Sequence, residues 1–200
     1  KDKDRQPLFA SEEIKKLQDM MRGPEELNNL LHDQENPYKS FNRQLDDLVF
    51  PELLRAISIA IKDEFDEVIN SVADRAGLSR DLVHIAPVKN EDRMQVKQFG
   101  YGQDPNLQYP FSAYLSDVLR CSYVCGNAHD MLRIWNLLQQ DDQLTVVRLK
   151  NKASEGTNPF NLHLNVAFQP RCFQSRMIVE IQIHSLAIYE VKKLNHKLYE

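Results

Sequence analysis

Residues 177–183 read Met-Ile-Val-Glu-Ile-Gln-Ile and are followed by His184, so their character alternates with a period of two. Successive side chains of a strand leave opposite faces. Val179, Ile181 and Ile183 therefore share one side, and Ile178, Glu180, Gln182 and His184 share the other. An acid, an amide and an imidazole on one side do not make a plain core, because each would cost kilocalories if buried without a partner. That face must meet water, another part of the protein or a ligand. Asp117 stands at the mouth of a second candidate strand. Alone it reads as a turn residue or a cap, but beside Glu180 it changes meaning. Two carboxylates brought together from different strands make a site for Mg²⁺, which takes oxygen ligands and keeps several waters that phosphates can replace.

Other strands repeat the pattern. In 162–168, Leu162, Leu164, Val166 and Phe168 form one face, and His163, Asn165 and Ala167 the other. In 144–150, Arg148 and Lys150 share a face. Placed beside the Glu180 strand, these residues line one polar concavity; a sheet with one wetted face gives the same alternation. Upstream, Lys89, Arg93 and Lys97 fall at i, i+4 and i+8. On a helix they form a single stripe within reach of a polyphosphate, or a solvated charged surface that includes Glu91 and Asp92.

The elements that must hold these groups follow from periodicity. The first half reads as helical: Ser11 caps a helix to about Arg22, and Pro24 opens a short one to about Asp33. A long amphipathic helix from about Pro51 to Ala76 carries Leu53, Leu54, Ile57, Ile61, Phe65, Val68, Ile69 and Val72, and Gly77 ends it in the left-handed position. Strands are expected at Val118–Cys125, Leu144–Lys150, Leu162–Phe168 and Met177–Ile183, with His84 in a further, half-buried one. Helices are expected at about Glu91–Gln98, at Asn127–Gln139 presenting Met131, Leu132, Trp135 and Leu138, and at Leu186–Tyr199. The mixture predicts an α+β or α/β arrangement around a mixed sheet, of which we adopt α+β. A mixed β-sheet of about five strands is flanked by helices, with a helical N-terminal portion over residues 1–80 and a core over 81–200.

Composition sets outer limits. The chain has 200 residues, 42% of them apolar, enough for a sizeable core. A net charge of −4 and a pI near 5.9 argue against a dedicated DNA binder. No run of about 18 apolar residues suggests a membrane span. Three cysteines, Cys121, Cys125 and Cys172, suit a reducing compartment, and a cytoplasmic location is expected. The chain starts at Lys1, which reads as a fragment of a longer protein.

The ordered set of short motifs resembles a known family. Lys89-x3-Arg93-x3-Lys97 comes first, then Ser116-Asp117-Val118-Leu119-Arg120 and Val146-Val147-Arg148-Leu149-Lys150-Asn151-Lys152. Leu162-His163-Leu164-Asn165-Val166, Val179-Glu180-Ile181-Gln182-Ile183-His184 and His196-Lys197-Leu198-Tyr199-Glu200 complete it. The set, covering about residues 83–200, resembles the RelA/SpoT-type nucleotide pyrophosphokinase domain, and the resemblance implies the nucleotidyltransferase-like form of the α+β fold. That family moves the β,γ-pyrophosphate of ATP onto the 3′-hydroxyl of a guanine or adenine nucleotide, or, in toxin-like members, onto tRNA. The resemblance implies that Lys89, Arg93 and Lys97 grip the ATP phosphates and that Asp117 and Glu180 hold Mg²⁺. It implies that Glu180 also helps deprotonate the attacking hydroxyl. It places Gln182, His163, Lys150 and His196 on the acceptor side or its support. Such chemistry works by positioning and charge neutralisation.

The chain departs from that family where a Gly-Tyr-Arg-Asp or Gly-Tyr-Arg-Ser loop is usual. Asn158-Pro159-Phe160-Asn161 stands there instead, and Phe160 is the residue left to stack on an acceptor base. The competing expectation is a catalytically degenerate member that senses a nucleotide or binds another protein. Other signals point elsewhere. Cys121, Cys125 and His129 lack a fourth zinc ligand nearby and read as structural thiols with a surface histidine. The pairs His32-Asp33 and His129-Asp130 read as cap or surface residues. The chain has no Gly-x4-Gly-Lys phosphate loop.

Overall fold

A computed structural model describes residues 45–151 and 161–196. The helices expected near Ser11 and Pro24 lie outside these residues. So do Lys152 and Phe160. The described residues from Asp47 onward form one compact unit.

The long helix expected from Pro51 is two helices, α1 (Phe50–Ala60) and α2 (Lys62–Ala76). The break falls at Ile61, whose φ of −102° and ψ of 2° leave the helical region. The apolar stripe runs through the break without interruption, so periodicity alone does not reveal it. Ile61, Phe65, Ile69 and Val72 are fully buried, whereas Leu53 at the other end is exposed. Gly77 closes α2 at φ 68°, a left-handed conformation that costs glycine nothing.

Five strands follow: β1 (Val83–Ile85), β2 (Arg120–Cys125), β3 (Leu144–Asn151), β4 (Asn161–Phe168) and β5 (Met177–Ser185). They lie in the order β1-β2-β5-β4-β3. Only the β2–β5 pair is parallel. The sheet is thus mixed and flanked by helices, as expected. β2 starts at Arg120 rather than Val118, because the chain bends at residues 118 and 119 before it pairs. α3 (Glu91–Gln103) precedes β2, α4 (Ala128–Gln140) follows it, and α5 (Leu186–His196) follows β5.

One sheet face is apolar. Ile181 of β5 pairs with Cys121 and Leu164, and Val179 pairs with Val166, all buried. α2 and α4 cover this face. Phe65 meets Phe168 edge-on at 5.6 Å, and the Tyr123 hydroxyl donates to the Ile69 carbonyl at 2.8 Å. α4 buries Met131, Ile134 and Leu138; Leu132, expected on this stripe, is exposed because the helix is turned toward Ile134. Cys121 and Cys125 are part of the same core, and burial pushes both thiols up, Cys125 to about 11. His129 is exposed in the first turn of α4, next to the Asn127 cap.

The other face is polar, and a β-bulge makes it so on β3. Simple alternation puts Leu144, Val146, Arg148 and Lys150 on one side, which would send two cations into the core. The register instead shifts between Val146 and Arg148: Val146 pairs with Val166, and Arg148 with Asn165. The one extra residue returns Leu149 to the side of Leu164 and sends Arg148 and Lys150 to the side of Asn165 and His163.

Candidate functional site

Asp117 sits just before β2 and is 5% exposed. Lys89 and Lys97 both donate to its Oδ2 oxygen, Lys97 at 2.6 Å. The two lysines do not reach it along one helical stripe. Asn90 caps α3, accepting from the Arg93 backbone N–H at 3.1 Å, so Lys89 lies outside the helix. The Lys89 N–H instead donates to the Val118 carbonyl at 3.1 Å, which ties the residue alongside Asp117. Lys97, in the second turn of α3, approaches from the helix. Its ammonium also lies 5.9 Å from the centre of the Tyr101 ring. Arg93 is exposed on α3 and forms no salt bridge among the described residues.

Burial alone would raise the Asp117 carboxyl, but hydrogen bonds and charge from Lys89 and Lys97 outweigh it and hold the group below its ordinary value. For Lys97 the same attraction exceeds the burial penalty and raises it. For Lys89, 8% exposed, burial wins: the ammonium is pushed down, with help from the nearby charges of Lys97 and Arg120 and against the pull of Asp117. The second oxygen of Asp117, Oδ1, is buried and has no hydrogen-bond partner. A carboxylate oxygen with no donor to satisfy it is a candidate metal ligand.

Glu180 lies in the middle strand. Its N–H donates to the Leu119 carbonyl at 3.0 Å, two residues beyond Asp117. In register it stands between Arg120 of β2 and Asn165 of β4. The Asn165 amide donates to the Ser116 hydroxyl at 3.0 Å. The 116–119 segment therefore passes beside Glu180 and delivers Asp117 to the same part of the sheet. One row on, His84, Ser122, Gln182, His163 and Lys150 stand side by side across all five strands. Gln182 donates to a Glu180 carboxylate oxygen, and its own Oε1 lies 2.9 Å from Nε2 of His184. His184 is fully buried, with Nδ1 3.4 Å from the Asn161 amide nitrogen. The His84 ring stacks on Tyr189 of α5 at 4.8 Å, and Tyr189 lies 5.8 Å from the His184 ring. His84 is exposed rather than half-buried, because β1 is an edge strand.

Strand register thus places Glu180, Gln182, His163 and Lys150 on one face, and Asp117, with Lys89 and Lys97, lies on the segment whose residues 116 and 119 bond to Asn165 and Glu180. Phe160 lies outside the described residues, and the side chain of His196 is not described. Arg120, Asn161 and Asn165 join the site through strand register, and Ser116 through its hydrogen bond to Asn165, links that spacing within one segment does not supply. Asp117 and Glu180 are the two candidate carboxylate ligands, and among the described residues no set of three or more His, Cys, Asp or Glu side chains converges as metal ligands. That donor set fits Mg²⁺, which needs few protein ligands, and does not fit structural zinc. Among the described residues no helix is long and apolar enough to cross a membrane.

No family model and no curated protein matches the chain. Solved structures do. The small alarmone synthetase 1 from Bacillus subtilis bound to its product pppGpp aligns over 80% of this chain and 82% of its own, with a TM-score of 0.52 and 18% identity. Small alarmone synthetase 2 from Bacillus subtilis covers 74% and 76% at 0.54 and 18% identity. A GTP pyrophosphokinase family protein from Streptococcus pneumoniae covers 81% and 76% at 0.51 and 15% identity. The chain shares the fold of these synthetases.

Proposed function

We propose that this chain, built on the alarmone synthetase fold, transfers pyrophosphate from ATP to the 3′-hydroxyl of a nucleotide acceptor and needs Mg²⁺ to do so. One observation carries the reading. A buried aspartate, held ionised by two lysines and keeping one oxygen without a partner, is delivered beside a strand-borne glutamate. A plain wetted sheet face has no reason to bury such a charge.

Asp117 Oδ1 and the Glu180 carboxylate would hold the metal, which when bound neutralises phosphate oxygens. Lys97 and Lys89 bring positive charge to the same place, and Arg93 projects from the exposed side of α3 toward an incoming polyphosphate. Arg120, beside Glu180 in the parallel pair, adds a cation that spacing alone did not mark. Glu180 is the group that takes the proton of the attacking hydroxyl, and rigid strand pairing on both sides fixes its backbone. His163 and Lys150, in the next row toward β3, stand on the acceptor side, with Phe160 as the stacking residue.

The test is incubation with γ-labelled ATP, Mg²⁺ and a panel of guanine and adenine nucleotides plus tRNA, followed by chromatography. Label in an acceptor supports the reading and names the acceptor. ATP binding by calorimetry with no label moved to any acceptor replaces it with a nucleotide-sensing module on the same fold.

A further inference from the structure

We infer that His184 is a positioning residue for Glu180, acting through a hydrogen-bond relay that runs in one direction along the polar face. The inference deepens the reading of Glu180 given above and rests on it for its kinetic arm.

The directions are set by donor and acceptor chemistry. Glu180 is acceptor-only as a carboxylate, so Gln182 must turn its NH₂ toward it, as it does. That places the Gln182 carbonyl oxygen toward His184. The ring nitrogen 2.9 Å from that oxygen, Nε2, must then carry a proton. In a neutral imidazole the other nitrogen, Nδ1, is an acceptor, and the Asn161 amide nitrogen faces it at 3.4 Å. Asn161, His184, Gln182 and Glu180 therefore form a chain in which every donor points toward Glu180. Each residue is fixed by the next, and the chain ends on the carboxylate.

The surroundings keep the imidazole in place. His184 is fully buried in the parallel pair with Val124, and His163 packs edge-on to it at 6.4 Å. Tyr189 closes over it from α5. The buried carbonyl oxygen of Asn161 has no partner, so the ring nitrogen alone sets which way that amide points. A histidine used only to fill space would need neither a defined tautomer nor an amide on each nitrogen. In strand register the relay residues alternate at 180, 182 and 184, so their side chains lie on one face with backbone spacing that β5 holds rigid.

Two substitutions separate this role from packing. His184→Gln can place an amide donor near the position of Nε2, whereas the shorter side chain of His184→Asn falls short of Gln182. His184→Gln should keep kcat for pyrophosphate transfer within about threefold of the parent, and His184→Asn should lower it by roughly tenfold or more, the effect of one lost orienting hydrogen bond. KM for ATP should change less than kcat in both, because Lys89, Lys97 and Asp117 still hold the donor when the Glu180 carboxylate is only misoriented. Equal kcat in the two variants, or a loss that falls on KM alone, overturns the inference. A second measurement does not depend on turnover. Long-range proton–nitrogen correlation spectra of the ¹⁵N-histidine-labelled parent at neutral pH should show His184 neutral and protonated on Nε2; protonation on Nδ1 overturns the relay. If the parent transfers no label to any acceptor, the functional reading fails and the spectrum still decides the relay.

Discussion

Asp117→Asn leaves the shape of the site nearly unchanged and removes the charge on which two lysines converge. The cost differs for each lysine. The Lys97 side chain is 36% exposed, so it can turn to water and give up only the value of a surface pair, about 0–1 kcal/mol. The Lys89 side chain is 6% exposed and its backbone is tied to Val118, so its ammonium stays buried beside a neutral amide. Removing one partner of a buried pair costs about 3–5 kcal/mol; the amide oxygen that remains places this case near 3 kcal/mol. Urea unfolding followed by far-UV circular dichroism measures it. The pH dependence supplies the sign. The native Asp117 carboxyl lies below its unfolded value, so its contribution is present above about pH 4 and disappears as pH falls through the native value. The variant should lack that acid-limb loss. Lys89 is lowered instead, so the native state gives up its proton before the unfolded chain, and stability rises with pH between the two values. Without Asp117 to pull it back up, Lys89 titrates lower still, and the deficit of the variant should narrow as pH approaches 10. Adding Lys89→Met removes the stranded charge and should restore about 2 kcal/mol. A variant within about 0.5 kcal/mol of the parent at pH 7, or a double variant no more stable than the single, would refute the buried-pair argument.

Glu180→Gln should cut pyrophosphate transfer by about a hundredfold or more while the urea midpoint stays close to that of the parent; turnover like the parent's removes Glu180 from the chemistry. Arg93→Ala should weaken Mg²⁺-ATP binding by roughly five- to tenfold in calorimetry, and unchanged affinity would make Arg93 a solvated surface cation. Tyr123→Phe leaves the Ile69 carbonyl without its buried donor and should cost about 1–2 kcal/mol of stability, with no effect on KM for ATP.

The sequence is legible wherever a period and a charge conflict. Glu180, Gln182 and His184 interrupt an apolar strand at every second residue, and the structure puts all three on the face away from Ile181 and Ile183. Of the Lys89–Arg93–Lys97 set, Lys89 and Lys97 meet at Asp117, but not along one helical stripe. Asn90, a better cap than a helix residue, starts α3 after Lys89, so the first lysine arrives by strand-like pairing and the third by helix. Ile61 hides the break in the long helix, because an apolar residue at a kink keeps the stripe intact. Arg120 and Asn165 become neighbours of Glu180 only through pairing between strands far apart in sequence. Local alternation carries no information about that register.

Strand order also gives the site a direction. Asp117 and its lysines sit at the start of β2, Glu180 on β5, and His163 and Lys150 on β4 and β3. Adjacent strands are about 4.8 Å apart, so the distance from β2 to β4 is roughly 10 Å, with Glu180 at its midpoint. On the proposed function, a triphosphate laid from the lysine cluster toward β5 would bring its reacting phosphorus near the carboxylate, and a ribose held from β4 would reach the same point from the opposite side. The bulge after Val146 is what allows this on the β3 edge. Without the extra residue, Lys150 would face the core-covering helices rather than the polar face, and the far end of the row that begins at His84 would carry no charge. The central acid reaches this face by the plain alternation of β5, and the outer cation reaches it only through an irregularity in the antiparallel β3–β4 pair.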